Sequence, residues 1–300
     1  MSGKILAFGA DGLVGSRFTD LYHKETPTIT PTIDELDITD KKAFFDFFEK
    51  NQSQFHSVIN FAAITDVDGA EKERGDEKGL TWEVNVGGVE NIAEACKKFD
   101  KYFIQISTDF VFPGDEGDPG PYPEDKKPPE TPEGIGWYGW TKRMAEERAR
   151  KIWDKTAILR ITYPYRALYP AKIDFARNIL MLFDEGKLYP MFSDQNMTPS
   201  FIDEIAKVLY LLIEEKKTGI FHAASSDVTT PYEFASYLLE AARGAKDVVK
   251  KGSMEAFLAA PGRTPRPRLG GLKVEKTEKE LDIKFMTWRQ AVDEFVGQLN

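Results

Sequence analysis

Three glycines at a fixed spacing constrain the fold of this chain more than any other feature. They directly follow the short apolar run of residues 4–8, which predicts a buried strand, and they precede a helix predicted at residues 16–24. Strand, glycine turn and helix in this order favour a dinucleotide site, because glycine lets the backbone approach a pyrophosphate and the helix N-terminus offers it N–H groups. An ordinary glycine-rich turn is the alternative. The predicted dinucleotide contacts in this turn are Gly9, Gly12, Leu13, Val14 and Gly15.

Strand and helix patterns then alternate along the chain. This alternation predicts an α/β fold with a Rossmann-like, doubly wound parallel sheet that is covered on both faces. The predicted strands are 4–8, 28–32, 55–63, 102–107, 157–161 and 220–223, and the second of these is weakened by Pro31. The predicted helices are 16–24, 40–50, 83–99, 137–152, 175–183, 201–215, 232–243 and 288–299.

The chain is expected to divide into two parts. Residues 1–162 form the predicted dinucleotide-binding domain, and residues 163–300 mainly form a smaller substrate-binding lobe. Segments around residues 200–224 are expected to return to the first domain. The stretch 113–136 is rich in proline, glycine and acidic residues, so we expect a solvated loop there, with a rim or lid over the site as the alternative.

Composition excludes several classes of function. The net charge of -9 weighs against a nucleic-acid partner. Cys96 is the only cysteine, so no intrachain disulfide can form, which fits a reducing compartment. The first eight residues do not resemble a signal peptide, and no apolar stretch predicts a membrane span. We therefore expect a cytoplasmic protein without a membrane partner. The histidines show no metal-ligand spacing, so no metal site is predicted.

A tyrosine and a lysine indicate the chemistry. Tyr138 and Lys142 lie four residues apart in a predicted helix and therefore share one face. An ammonium near the phenol favours ionisation of a group whose usual pKa is about 10, which lets the tyrosine exchange protons near neutrality. Thr108, in the Ser-Thr-Asp string upstream, can hold a substrate oxygen against it. Together with the glycine turn, these three predicted catalytic residues indicate a nicotinamide-dependent active site.

Further cofactor contacts are expected after the second and third strands. Thr32 and Ile33 occupy the position where an acid usually binds the adenosine ribose of NAD, and Asp34 and Glu35 follow them. No arginine that could bind the 2′-phosphate of NADP stands there, and the nearest one in the sequence is Arg17. The choice between NADPH and NADH therefore stays open.

Asp37 and Ile38 follow the second strand. The Asp37 carboxylate can accept a hydrogen bond from the adenine amino group or, alternatively, act as the N-cap of the next helix. Small side chains end the third strand and suit a backbone that passes close under a cofactor. The predicted contacts are Thr32, Asp37, Ile38, Ala62, Ala63 and Ile64.

Several strings together resemble the extended short-chain dehydrogenase/reductases and, within them, the dTDP-4-dehydrorhamnose reductases. The similarity covers nearly the whole chain. It rests on the glycine turn, ELDITD at 35–40, NFAAITDVDGAE at 60–71, STDFVF at 107–112, YGWTK at 138–142 and the Arg-Pro pair at 266–267.

The resemblance implies reduction of a 4-keto nucleotide sugar, most closely dTDP-4-dehydro-L-rhamnose to dTDP-L-rhamnose, by NADPH or NADH with a modest lean to NADPH. It implies that Tyr138 is the acid, that Lys142 is its partner and a ribose ligand, and that Thr108 binds the substrate carbonyl. Asp109 and Arg266 are then expected to contact the nucleotide sugar. A homodimer is compatible with the resemblance.

The substrate side departs from the family pattern. Tyr163 replaces a tryptophan that lies against the sugar, and the stretch 266–272 lacks the family's serine. Two alternatives therefore stay open. One is another nucleotide-sugar reductase or an epimerase, and the other is a non-catalytic regulatory subunit of the methionine adenosyltransferase β type.

Overall fold

A computed structural model of the protein describes residues 3–299. Its strands are β1 (Lys4–Phe8), β2 (Thr28–Ile29), β3 (Phe55–Asn60), β4 (Tyr102–Thr108), β5 (Thr156–Ile161), β6 (Met191–Phe192), β7 (Gly219–Ala223) and β8 (Lys251–Gly252). The helices of its first half are α1 (Leu13–Tyr22), α2 (Lys41–Asn51), α3 (Val67–Glu71), α4 (Leu80–Trp82), α5 (Val89–Lys98) and α6 (Trp137–Ile152). Those of its second half are α7 (Phe175–Asp184), α8 (Ile202–Glu215), α9 (Pro231–Arg243), α10 (Met254–Ala259), α11 (Glu275–Leu281) and α12 (Trp288–Gly297).

Six of the strands form one parallel sheet in the order β2-β1-β3-β4-β5-β7. The chain winds from β1 to β2 on one side and then returns to place β3 on the other side of β1. The direction of winding therefore reverses between β1 and β3. Doubly wound sheets bind their ligands in the crevice beyond the carboxyl ends of such strands.

Both faces of this sheet are covered, which explains why its strands are predominantly apolar in sequence. Side chains alternate between faces, so Ile5 packs into the core under α1 and α8, whereas Leu6 packs into the core under α2, α5 and α6. Every residue of β5 is buried. The predicted α/β class with a doubly wound parallel sheet is confirmed.

A third core lies among α7, α9 and α12 in the second half of the chain. Tyr165 is at its centre and contacts the rings of Phe201, Phe234 and Phe295 at centroid distances of 5.5, 5.4 and 5.6 Å. The helix boundaries follow from local chemistry: Thr230 caps α9 in a capping box, and Gly244, with φ of 65°, ends it. The same half contributes α8 and β7 to the main sheet and its cover.

Most predicted elements are present, with shifted ends. The strand predicted at 28–32 pairs over only two residues, before Pro31, which has no N–H to donate. The helix predicted at 83–99 begins as a π-helical segment, Glu83–Gly88, before it becomes α5. The short elements α3, α4, α10, α11, β6 and β8 were not predicted.

The stretch 113–136 is more ordered than a solvated loop. Its Tyr122 is buried, stacks on Phe112 at a centroid distance of 4.0 Å and donates a hydrogen bond to the Asp118 carbonyl. Glu124 is also buried and accepts two hydrogen bonds from Thr277. Between residues 3 and 299, no helix is both long enough and apolar enough to span a bilayer.

Candidate active site

A cavity of about 460 Å³ opens at the carboxyl ends of β1, β3, β4 and β5. One wall is the glycine turn after β1 together with residues 61–63 after β3. The lining also comprises residues 106–110, Tyr138 and Lys142 of α6, and residues 161–164. Thr65, Lys172, Ile173 and Asp174 complete it. The cavity therefore lies where the winding of the sheet reverses.

The glycine turn can exist only because Gly9 and Gly15 lack side chains. Gly9 has φ of 64°, and a Cβ atom there would lie 2.8 Å from the Ala62 backbone nitrogen. A Cβ on Gly15 would lie 2.6 Å from Cα of Ala10. In the described chain no side chain caps α1 at Gly12, and the first turn of α1, whose N–H groups lack intrahelical partners, lines the cavity. This arrangement fits an anionic group such as a pyrophosphate.

Tyr138 reaches the cavity because α6 passes very close to the end of β4. A Cβ on Gly139 would lie 2.0 Å from the Phe110 carbonyl oxygen, so only glycine permits this approach. The Phe110 ring then contacts the Tyr138 ring edge-on at 5.9 Å. One turn further along α6, Lys142 donates a hydrogen bond from Nζ to the Ile106 carbonyl oxygen at 2.7 Å. Both α6 side chains therefore face the end of β4.

The end of β4 brings a hydroxyl and a carboxyl group to the same place. Thr108 donates from Oγ1 to Oδ1 of Asp109 at 3.2 Å, and Thr162 donates from Oγ1 to Oδ2 at 2.8 Å. Asp109 is buried, with only 3% of its surface exposed. Burial raises the pKa of Asp109 to about 6, although these hydrogen bonds lower it in part.

Burial also shifts the pKa values of Tyr138 and Lys142. Burial raises the pKa of the Tyr138 phenol, the charge of Asp109 raises it further, and a hydrogen bond with Thr108 lowers it. Burial lowers the pKa of Lys142 to about 8, whereas the Glu146 carboxylate raises it. The Lys142 ammonium lies against the Ile106 carbonyl. The sequence had predicted that this charge would favour ionisation of Tyr138, but burial and Asp109 dominate here.

Asn85 is a structural contributor whose role the sequence did not define. Its Oδ1 accepts the Ile64 N–H at 2.8 Å, while its Nδ2 donates to the Ile64 carbonyl and to Thr141 Oγ1, both at 3.1 Å. Asn85 is fully buried in the π-helical segment, a type of irregularity frequent at functional sites. It thereby fastens the segment after β3 to α6. An asparagine within an apolar helical stretch was the available signal.

Ser107 and Thr162 are further cavity residues that the sequence analysis did not assign. The Ser107 hydroxyl is buried and lacks a hydrogen-bond partner among the described residues. Thr162 directly follows β5 and supports Asp109 as described above. Only the parallel pairing of β4 with β5 brings Thr162 beside this carboxyl group, so no local pattern marks it.

Tyr163 also faces the cavity. Its backbone has φ of 43°, which is unusual for a residue other than glycine and indicates a locally strained conformation. Gln195 donates from Nε2 to the Tyr163 hydroxyl at 2.9 Å. Burial raises the pKa of this phenol to about 12, and the charge of Asp109 also raises it. The aromatic ring at this position is therefore held in a fixed orientation.

The structure brings most predicted contacts together but leaves five outside this cavity, namely Thr32, Asp37, Ile38, Ile64 and Arg266. The Asp37 carboxylate accepts hydrogen bonds from the backbone and side chain of Thr39, and Asp40 is the residue that caps α2. The backbone groups of Ile64 are occupied by Asn85. Ile38 is buried against Gly88.

Arg266 lies at a second, neighbouring cavity of about 390 Å³ that is also lined by Arg263 and Arg268. It forms an ion pair with Asp68 at 2.7 Å, and Arg268 forms one with Glu116. Neither the main cavity nor any other group of described residues assembles three potential metal ligands of the His, Cys, Asp or Glu type.

Comparison with known proteins gives a consistent result. A probable low-salt glycan biosynthesis reductase, Agl14 of Haloferax volcanii, is 30% identical over 286 residues, which cover 91% of this chain and 90% of the relative. A dTDP-4-dehydrorhamnose reductase of Mycobacterium tuberculosis is 27% identical and covers 97% of this chain and 91% of its own length.

Among solved structures, dTDP-4-dehydrorhamnose reductase from Bacillus anthracis in complex with NADP superimposes with a TM-score of 0.86 and 25% identity. The alignment covers 99% of this chain and all of that one. The model of the RmlD substrate binding domain family matches residues 3–300. Because that match spans almost the whole sequence, the chain belongs to the RmlD substrate-binding-domain family.

Proposed function

We propose that this protein is an NAD(P)H-dependent reductase of a 4-keto nucleotide sugar, with dTDP-4-dehydro-L-rhamnose as the substrate and dTDP-L-rhamnose as the product. One observation carries the proposal. Thr108, Tyr138 and Lys142 line the same cavity as an uncapped helix N-terminus behind a glycine turn. A dinucleotide site and a proton donor therefore share a single space.

The chain's own residues fit a nicotinamide dinucleotide. Gly9, Gly12 and Gly15 leave room for a pyrophosphate against α1, and Ala62 and Ala63 present small side chains next to it. The bound reduced nicotinamide supplies a hydride to the carbonyl carbon. Family relatives include a reductase whose structure contains NADP, which supports this cofactor class.

Tyr138 is the group that gives its proton to the carbonyl oxygen as negative charge develops there. Its raised pKa keeps it protonated at neutral pH, so it begins the reaction as an acid. Thr108 holds the substrate oxygen beside the phenol. Lys142 lies one helical turn away, where its ammonium favours the tyrosinate that forms and can bind the cofactor ribose.

The substrate would extend from Tyr138 toward the second cavity. Asp109 and Tyr163 lie next to Tyr138, and the Tyr163 ring offers an apolar face to a sugar. Arg266 lies beyond them with two further arginines, and guanidinium groups suit bidentate contact with a diphosphate. The ion pair of Arg266 with Asp68 would have to open when the diphosphate binds.

The same geometry weighs against the alternatives. A non-catalytic regulatory subunit of the methionine adenosyltransferase β type does not need a proton donor, whereas this cavity contains Tyr138 together with Thr108 and Lys142. An epimerase can use the same three residues, but only a reductase releases its cofactor in the oxidised form. Measuring whether one NAD(P)H is consumed for each product molecule therefore distinguishes a reductase from an epimerase.

Three further proposals concern organisation. Residues 1–162 would bind the dinucleotide, and residues 163–300 would provide most of the substrate lobe. We also propose a cytoplasmic location, supported by the buried, unpaired Cys96 and by the nucleotide-sugar chemistry. A homodimer and the absence of nucleic-acid and membrane partners stay predictions, which light scattering and binding assays can check.

The test is product analysis with enzymatically prepared dTDP-4-dehydro-L-rhamnose and NADPH or NADH. We expect stoichiometric cofactor oxidation and formation of dTDP-L-rhamnose. Arg266→Ala should raise KM for the nucleotide sugar at least about tenfold while the Kd for NADPH stays nearly unchanged. Robust reduction of a different keto-sugar nucleotide alone would overturn the named substrate. Cofactor binding without any turnover would favour a regulatory role.

A further inference from the structure

A short segment from the second half of the chain crosses the main cavity. Residues 168–174, called the strap below, connect β5 to α7, and the last three of them line the cavity. The Tyr169 hydroxyl donates to the Asp11 carbonyl oxygen of the glycine turn, and Lys172 donates from Nζ to Thr65 Oγ1 at 3.4 Å. The strap therefore joins the segments after β1 and β3, which together form the predicted dinucleotide side of the cavity.

The backbone of the strap is fixed at the cavity, while the Lys172 side chain extends from it. Arg177 on α7 donates to the carbonyl oxygens of Tyr169 and Lys172. Asp174 holds Arg177 in turn, with 2.8 Å between its Oδ2 and the arginine Nε. The Arg166 guanidinium lies 5.2 Å from the centre of the Tyr169 ring and donates to the first turn of α1. Both arginines therefore hold the strap close to the N-terminus of α1.

The charge of Lys172 is not compensated by an ion pair with any described carboxylate. Its ammonium has several N–H donors, but its hydrogen-bond partner among the described residues is the uncharged Thr65 hydroxyl. The other cation of the cavity lining, Lys142, is buried and donates to the Ile106 carbonyl at 2.7 Å. The exposed Lys172 is therefore the cation of the described lining that is available to an anionic ligand.

We propose that Lys172 binds the pyrophosphate of the nicotinamide dinucleotide. The inference rests on the proposed function for the identity of this anion. The N-terminus of α1 supplies roughly half a positive charge, which does not balance a pyrophosphate. An ammonium adds a full charge and charge-assisted hydrogen bonds. The part of the chain that is expected mainly to bind substrate thus contributes a cofactor ligand through the strap.

A nucleotide sugar also contains a diphosphate, and the position of the strap distinguishes the two ligands. Lys172 contacts Thr65 after β3, and Tyr169 contacts the glycine turn. The arginine proposed for the diphosphate of the substrate, Arg266, lines the second cavity instead. The contacts of the strap therefore favour the pyrophosphate of the cofactor over the diphosphate of the substrate.

The decisive experiment measures cofactor affinity without turnover. Lys172→Met removes the charge but keeps most of the length of the side chain. We expect the Kd values for NADPH and NADH, from fluorescence titration, to rise by the same factor of at least about tenfold, because both cofactors contain the pyrophosphate. Lys172→Arg keeps the charge and should retain the affinity within about threefold. Lys246→Met, at an exposed lysine that pairs with Glu240, controls for net charge and should bind like the wild type.

Ionic strength gives a readout that a merely structural role would not change. Salt screens an exposed ammonium, so the Kd for NADPH should rise with salt more steeply in the wild type than in Lys172→Met. Equal salt dependence would reject the proposed ionic contact.

Tyr169→Phe tests the strap without changing any charge, because it removes only the hydroxyl that donates to the Asp11 carbonyl. We expect the rate of NADPH dissociation to increase by roughly threefold, measured by stopped-flow displacement with excess NADH. An unchanged dissociation rate would show that the strap does not hold the cofactor.

Other outcomes with Lys172→Met would also overturn the inference. A larger effect on NADPH than on NADH would place Lys172 at the 2′-phosphate. Unchanged dinucleotide affinity, with weaker binding of dTDP to the cofactor-loaded protein, would place it at the diphosphate of the substrate. Unchanged affinity for NADPH, NADH and dTDP would leave Lys172 without a ligand. If the wild type itself bound neither NADPH nor NADH, the proposed function would fail instead, so the two failures are distinguishable.

Discussion

Arg160 and Glu146 form a buried two-point ion pair that joins the sheet to the helix of Tyr138. Their atoms lie 2.6 Å apart from Nη2 to Oε2 and 2.9 Å apart from Nε to Oε1, and the side chains are 0% and 6% exposed. The guanidinium also lies 5.0 Å from the centre of the Phe112 ring. Arg160 is therefore a structural residue that holds α6 against β5.

We expect Glu146→Gln to reduce the free energy of unfolding by about 3–5 kcal/mol, because it leaves the buried Arg160 charge without its partner. Urea unfolding of the ligand-free protein provides the measurement. Asp46→Asn, which breaks the exposed Lys42–Asp46 pair, is the control and should have no measurable effect. A Glu146→Gln protein as stable as the wild type would show that the ion pair does not hold α6 in place.

Tyr138→Phe should lower turnover by roughly a hundred- to ten-thousandfold, because the hydroxyl group that donates the proton is lost while the ring stays. Cofactor affinity should change little. Lys142→Met should reduce both turnover and cofactor affinity, since its ammonium is proposed to favour the tyrosinate and to bind the cofactor ribose. Steady-state rates and fluorescence titration with NADPH give the two readouts, and Tyr237→Phe, at the surface near Asp293, is the control. Wild-type turnover in Tyr138→Phe would reject the proposed acid.

Gly12→Val should weaken binding of both NADPH and NADH at least about tenfold. A Cβ at this position would lie 3.1 Å from the Gly9 carbonyl oxygen, and the valine methyl groups would occupy the space in front of the α1 N-terminus. Gly297→Val on α12, where a Cβ would meet nothing within 4 Å, is the matched control. Undiminished dinucleotide binding by a folded Gly12→Val protein would place the cofactor elsewhere.

The sequence predicted the fold well because its strongest signals are local. β1 is an apolar run after Lys4, β5 is mostly apolar, and the glycine turn marks the ligand end of β1. Tyr138 and Lys142 were recognisable because a helix places residues four apart on one face. No local pattern could reveal Thr162, whose contact with Asp109 depends on parallel strand pairing, nor the ion pair between residues of β5 and α6.

Glu35 illustrates a second limit of local patterns. The sequence showed no acid at Thr32, where the adenosine ribose is expected. In the folded chain, however, the Glu35 carboxylate turns back and accepts hydrogen bonds from Thr32 N–H at 2.8 Å and from Thr32 Oγ1 at 3.1 Å. A carboxylate near this position can accept from ribose hydroxyls and would repel a 2′-phosphate. The modest preference for NADPH that the family resemblance implies stays a prediction, and the position of the Glu35 carboxylate argues against it.

Glu35→Gln should therefore raise the ratio of kcat/KM for NADPH to that for NADH by roughly tenfold, or about 1.4 kcal/mol. The neutral amide keeps the shape of the side chain while it removes the repulsion. Initial rates with each cofactor give the ratio, and Asp34→Asn, at the neighbouring acid, controls for a general change in surface charge. An unchanged ratio would show that Glu35 does not influence the choice between NADPH and NADH.

Glu204 should make the protein less stable as pH rises toward 8. Burial raises its pKa to about 7, and its Oε1 accepts the Met286 N–H at 2.8 Å. Because the pKa is higher in the folded state than the ordinary value of 4.5, the stability it contributes is complete below about pH 4.5 and is lost as pH rises through about 7. The expected loss is about 3 kcal/mol.

In Glu204→Gln the side chain stays neutral and still accepts the Met286 N–H, so this pH dependence should disappear. At pH 8 the variant should be more stable than the wild type, and at pH 5 the two should be similar. Urea unfolding between pH 5 and pH 8 measures the difference. Glu215→Gln, at the exposed end of α8, is the matched control and should follow the wild type. If Glu204→Gln is destabilised equally across this range, the carboxylate is favourable in the folded state and burial does not dominate its energetics.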